Sequence, residues 1–181
     1  KIYPMDDFQL LSKECQALVL DANDDGEKQF IVAKSLIEGK NGFPQNSNLG
    51  LEYVRQSNKR KCLNTKLYSI KMLIKGDVMS QDLDQARRYI STLDASKELR
   101  VYLLNGLISL EEEKHSEAAR YFKEGADKGC VECMYKYAKM LFLGERIKRN
   151  INEAVKYFKA SSKQGYEKSN HFLSQLAIFN T

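Results

Sequence analysis

Residues 153–165 read EAVKYFKASSKQG, and residues 117–129 read EAARYFKEGADKG. Glu, Ala, Tyr, Phe, Lys and the final Gly recur at the same offsets, and Lys156 answers to Arg120. Taken alone, the first stretch is a basic amphipathic helix closed by Gly165. Such a helix can lie on a membrane, grip nucleic acid or fill a calmodulin-like groove. Beside its twin it becomes one element of a repeat, because the shared positions include the apolar ones and the terminal glycine. Lys163 answers to Asp127, a swap that a function built on a basic helix would not survive. Ala154, Tyr157 and Phe158 are therefore assigned to packing, and Lys156, Lys159 and Lys163 to a solvated face.

The pattern extends backwards to four copies. Tyr53, Tyr89, Tyr121 and Tyr157 follow one another at intervals of 36, 32 and 36. A small residue stands three places before each tyrosine (Gly50, Ala86, Ala118, Ala154), and a hydrophobe follows each one (Val54, Ile90, Phe122, Phe158). Each copy is preceded by a second apolar pattern at helical spacing: FIVAKSLIEG at 30–39, LYSIKMLIKG at 67–76, LLNGLISLEE at 103–112 and YKYAKMLFLG at 135–144. Three of these end in a helix-stopping glycine, Gly39, Gly76 and Gly144. The third copy lacks it, together with about four loop residues, which accounts for the shorter interval.

Each unit thus reads as helix A, loop, helix B, turn. The expected helices are A 27–38, B 47–60, A 63–75, B 82–94, A 97–111, B 114–128, A 131–143, B 151–164 and a last A at 167–179, preceded by one helix over 6–21. A lone helix pair cannot bury its apolar face, so the units stack. The expectation is an all-α chain, an α-α superhelix (a right-handed solenoid) of stacked antiparallel helix pairs. It is read as one domain over 1–181, with an N-terminal helix or cap at 1–25, repeats at 26–62, 63–96, 97–130 and 131–166, and a C-terminal helix at 167–181. The tyrosine column is expected to fill space between repeats, so that Tyr157→Ala would cost about 3 kcal/mol if the ring is buried.

These features resemble the SEL-one-like repeat, a tetratricopeptide-related family. The resemblance is sharpest at 131–166, in Cys133, Ala138, Gly144, Ile147, Asn150, Ala154, Tyr157, Phe158, Ala160, Ser161 and Gly165. The third copy matches in helix B only. The first two keep the glycine, a hydrophobe (Phe43, Met79) and the aromatic, but lose the late small pair and the final glycine. A plain tetratricopeptide array, whose unit is shorter and whose loops are tighter, is the alternative. The resemblance implies a scaffold that assembles protein complexes. Family members in oxidising compartments carry disulfides between helices of one repeat, an arrangement that the two-residue gap of Cys130 and Cys133 does not match.

Bulk properties narrow the function classes. Of 181 residues, 43% are hydrophobic and 29% charged, and the net charge of +5 is spread along the chain with both signs interspersed. That footprint is weak for nucleic acid, which asks for a face of one sign. No apolar run reaches the roughly 20 residues of a membrane span. The chain opens on Lys1 without a signal-type apolar core, and it reads as a fragment or processed product. Four cysteines (Cys15, Cys62, Cys130, Cys133) do not make a disulfide framework at this length, so reduced thiols and a cytoplasmic setting are expected.

Two motifs invite chemistry. DANDDGE at 21–27 opens like a calcium loop, but its twelfth position is Val32 where a bidentate Glu is needed. It reads as an inter-repeat turn. Cys130-x-x-Cys133 suggests redox or zinc chemistry. The strand–helix–strand setting of a redox motif is missing, and a zinc site would have to draw on His115 and His171. Cys133 falls in the small-residue slot, so a structural role is expected. No nucleophile elbow, phosphate loop or paired carboxylates appear, so neither catalysis nor any cofactor or metal is expected.

The expected function is a non-catalytic scaffold that binds a protein or peptide along its A helices. Lys34, Lys71, Tyr102, Asn105, Lys136 and Lys139 are the expected contacts, and the basic ones point to an acidic partner. The rival readings are a nucleic-acid-binding repeat, whose affinity would fall steeply with salt, and an accessory domain of a larger signalling enzyme.

Overall fold

The computed structural model describes residues 2–179; residues 1, 180 and 181 of the expected terminal segments lie outside them. Every regular element among the described residues is a helix. They are α1 (Met5–Gln9), α2 (Lys13–Asp21), α3 (Gly26–Glu38), α4 (Ser47–Lys59), α5 (Leu63–Lys75), α6 (Leu83–Ile90), α7 (Arg100–Glu111), α8 (His115–Asp127), α9 (Val131–Leu143), α10 (Ile151–Lys163) and α11 (Glu167–Phe179). The chain divides into two compact units, Lys1–Asp82 and Leu83–Thr181. In the first, α3 packs on α4 and α4 on α5. In the second, α7, α8, α9, α10 and α11 each pack on the next.

Two of the three sequence columns are the core. Gly50, Ala86, Ala118 and Ala154 are all buried, as are Val54, Ile90, Phe122 and Phe158. A side chain at Gly50 would run into Ile37, and one at Gly106 would strike the Phe122 ring. Helices A and B therefore approach as closely as the small residues allow. The tyrosine column does not share this role throughout. Tyr53 is buried, Tyr121 and Tyr157 are half-buried, and Tyr89 is 37% exposed. Tyr157 packs edge-on against Tyr137, 5.2 Å between centroids, and its hydroxyl donates to Asp127 Oδ1 at 2.5 Å. Burial first, then that carboxylate, pushes its pKa up. Its ring is a lid on the core, so Tyr157→Ala costs less than full burial would imply.

Loops repeat as faithfully as helices. Gln45, Gln81 and Arg149 each send a side-chain nitrogen to a carbonyl near the end of the preceding A helix, those of Ile37, Ile74 and Phe142. The next residue's amide binds Leu36, Leu73 or Leu141. Asn46 and Asn150 then cap α4 and α10 through their side chains. Where the sequence lacks a glycine, another residue takes its backbone conformation. Lys61 (φ 57°) stands where later copies have Gly129 and Gly165, and Glu113 (φ 59°) closes the shortened third copy.

Three boundaries differ from expectation. The single helix over 6–21 is two, because Ser12 accepts from the Cys15 amide and starts α2 afresh. Helix α6 stops at Ile90, where Ser91 and Thr92 hydroxyls take the carbonyls of Arg88 and Tyr89 and Asp94 turns the chain through Ser96. Helix α7 begins at Arg100, whose amide and guanidinium are both held by Glu98.

Candidate interaction clefts

One recess occurs at the same repeat position in each unit. In the first it is an open cleft of about 930 Å³ lined by Ile37, Glu38, Gln45, Ser47, Tyr68, Lys71, Met72, Lys75, Asp77 and Val78. In the second it measures about 850 Å³ and is lined by Leu110, His115, Phe122, Lys136, Lys139, Met140, Leu143, Glu145 and Arg146. Counting from Gly76 and Gly144, Tyr68 corresponds to Lys136, Lys71 to Lys139, Met72 to Met140, Lys75 to Leu143, and Asp77-Val78 to Glu145-Arg146. Counting from Gly50 and Ala118, Ser47 corresponds to His115. The end of one A helix, the start of its B helix and the outward side of the next A helix enclose each cleft.

Their chemistry differs. The first sets Lys71 and Lys75 against Glu38 and Asp77, a charge balance. Its Tyr68 is tied in: the hydroxyl reaches Glu38 at 3.5 Å, Lys34 Nζ lies 5.9 Å from the ring centroid, and burial, then Glu38, pushes its pKa up to about 12. The second is lined by three cations, Lys136, Lys139 and Arg146, and one carboxylate, Glu145, over an apolar floor of Leu110 and Met140. Leu143 stands 48% exposed at its edge.

The six expected contact residues separate into three groups. Lys136 and Lys139 share the second cleft. Lys71 lines the first, and Lys34 is exposed beside its Tyr68. Tyr102 and Asn105 line neither cleft and are half-buried rather than exposed. Tyr102 packs at Gly125 with Lys128 Nζ 5.7 Å from its ring centroid. His115, Leu143 and Arg146 escape a reading of A helices alone. They come from the next B helix, the helix end and the loop, and only the repeat register could have pointed to them.

The tempting motifs have structural partners. Asp25 caps α3 by accepting from the Glu27 and Lys28 amides, Asp21 pairs with Lys28, and Asp24 pairs with Arg60. Val32, in the place of the missing calcium ligand, is fully buried. In the acidic run at 111–113, Glu112 binds Arg87 and Lys114. No group of metal-ligating side chains is present among the described residues. No described helix is long and apolar enough to cross a membrane.

A repeated junction joins each B helix to the next A helix. Ser57 donates to the Gly26 carbonyl at 2.6 Å and meets the Thr65 hydroxyl at 2.5 Å, while Ser161 meets Ser169; all four side chains are fully buried. At the corresponding place between α8 and α9 stand Gly125 and Cys133, and a Cβ on Gly125 would lie 2.6 Å from the Cys133 sulfur. Cys133 thus fills the small-residue slot that the sequence assigns to it.

Comparison with known proteins agrees with this register. The chain is similar to a Sel1 repeat protein from Oxalobacter formigenes, with a TM-score of 0.58 at 15% identity, covering 86% of this chain and 64% of that one. It is also similar to a protective antigen of uropathogenic Escherichia coli strains that displays an SLR fold, with a TM-score of 0.57 at 16% identity, covering 89% of this chain and 35% of that one. At such identities the likeness concerns the fold, and this chain spans less than two thirds of either structure. No curated protein matches. The family model for the Sel1 repeat matches residues 101–130 and 131–166. Residues 101–166 of the second unit therefore match the Sel1 repeat twice in succession, and the chain has the all-helical repeat fold of SLR proteins.

Proposed function

We propose that the chain is a non-catalytic adaptor, and that its second unit binds an acidic, amphipathic protein segment in the cleft walled by α9. Sel1 repeats are commonly protein-interaction modules. The observation that carries the assignment to this cleft is its composition: three cations against one carboxylate, over an apolar floor. Opposite charge on the partner sets orientation and encounter rate, and an apolar anchor on the floor supplies the affinity. The first cleft has the same geometry with balanced charge, so it should not share the preference.

The test is direct binding to an array of acidic peptides carrying leucine or phenylalanine anchors, beside arrays with the charges reversed and with the anchors removed. Binding that needs both acid and anchor supports the reading. Binding that ignores peptide charge, or that follows nucleic acid instead, refutes it.

A further inference from the structure

Both signs of charge occur throughout the chain, yet two segments are biased in opposite directions. The first 27 residues carry seven carboxylates and two lysines, whereas residues 131–168 carry nine Lys/Arg and four carboxylates. The acidic segment also turns large apolar side chains outward. Leu10 is 86% exposed, the most of any large apolar side chain among the described residues, and Met5 is 57% exposed. Helical spacing sets Met5, Asp6, Gln9 and Leu10 on one side of α1 and its end, opposite Phe8. All four are exposed, and Phe8 is half-buried.

The core of the first unit holds this ridge in place. Tyr3 is buried, with its ring centroid 6.5 Å from that of Phe8, 6.4 Å from Phe43 and 6.5 Å from Tyr53. Gln16 Nε2 donates to the carbonyls of Phe8 and Leu11, which fixes the turn into α2. Folding has therefore already met much of the ordering cost of docking. Asp6 and Asp7 pair with no cation among the described residues. The acidic run at 111–113 offers no such ridge: Glu112 is held by Arg87 and Lys114, and Leu110 beside it is half-buried.

We propose that a second copy of this chain occupies the cationic cleft of the second unit, docking through its α1 ridge. The inference rests on the reading of that cleft as a site for acidic, anchored segments, and it names the segment. Asp6 and Asp7 face Lys136, Lys139 and Arg146, while Leu10 seats over Leu110 and Met140 beside the exposed Leu143. Charge complementarity orients the encounter, and the apolar anchor supplies the affinity. The two surfaces differ, so the contact is heterologous. Each copy that docks keeps its own cleft for another, and growth stops only where a ring closes.

The experiment is sedimentation of the full chain over a concentration series. The weight-average mass should rise with concentration, with a midpoint near about 100 µM, and the rise should be lost at about 0.5 M salt. Asp6→Lys with Asp7→Lys should stay monomeric, as should Lys136→Glu with Lys139→Glu. An equimolar mixture of these two variants should associate again, because each offers the other an opposite charge; misfolded variants would not do so. Leu10→Ser, which removes an exposed side chain, should weaken association about tenfold. The proposal is overturned if the native mass stays at 20.8 kDa throughout, if the α1 reversal leaves association unchanged, or if the mixture stays monomeric. A native chain that stays monomeric while its cleft binds anchored acidic peptides overturns self-docking alone and assigns the cleft to another acidic partner. A reversal at Lys136 and Lys139 that changes neither association nor peptide binding overturns the reading of the cleft as well.

Discussion

The first unit joins α4 to α5 with two hydroxyls, Ser57 on Thr65; the second joins α8 to α9 with an absent side chain and a sulfur, Gly125 on Cys133. Both junctions are buried and both lie in the same repeat register, yet they are stabilised differently. The first is a hydrogen-bond chain that also satisfies the Gly26 carbonyl. The second depends on close packing of the Cys133 sulfur into the space that Gly125 leaves. The fold therefore fixes how much space a junction has and leaves open which chemistry fills it. The clefts teach the same lesson, since matching walls carry balanced charge in one unit and a cationic excess in the other.

The largest effect should come from the column that both units share. Phe122 is fully buried against Gly106, so Phe122→Ala should cost about 3–5 kcal/mol in urea unfolding. Tyr121→Ala, one residue earlier and half-buried, should cost less than half as much. Equal losses would restore the tyrosine column to the core.

The junction itself gives the next largest effect. Gly125→Ser copies Ser57 into the second unit but places its Cβ against Cys133 and Tyr102, so it should destabilise by about 1–3 kcal/mol through overpacking. A neutral or stabilising result would mean that the two junctions are interchangeable. Smallest is the backbone contrast between the turns. Lys61 holds the positive φ that Gly129 supplies in the sister copy, so Lys61→Gly should gain about 0.5–1 kcal/mol and Gly129→Lys should lose a similar amount.

Helices α3 to α5 and α8 to α11 were legible within a residue or two, because apolar spacing and turn glycines repeat at a fixed interval. The break at Ser12 was not, since a continuous apolar pattern hides a cap whose effect depends on local hydrogen bonds. Neither was the left-handed backbone at Lys61 and Glu113, where residue type argues against the conformation that the repeat imposes. The tyrosine column recurs in sequence but not in burial, because Tyr89 lies on the short helix α6, where it remains 37% exposed. Of the cleft, Lys71, Lys136 and Lys139 followed from helical phase. His115, Leu143 and Arg146 join them only through the fold, and Tyr102 is drawn inward because Gly125 leaves it room.

The central claim is that recognition belongs to α9 and its cleft, not to the basic face of EAVKYFKASSKQG. Lys156 and Lys159 are exposed on α10 and line neither interaction cleft. The decisive measurement is calorimetric titration of an anchored acidic peptide into two charge reversals, Lys136→Glu with Lys139→Glu and Lys156→Glu with Lys159→Glu. The first pair should weaken binding at least about tenfold, some 1.4 kcal/mol, and the second should leave it within about twofold. Equal weakening by both pairs, or a larger loss from the α10 pair, would contradict the account.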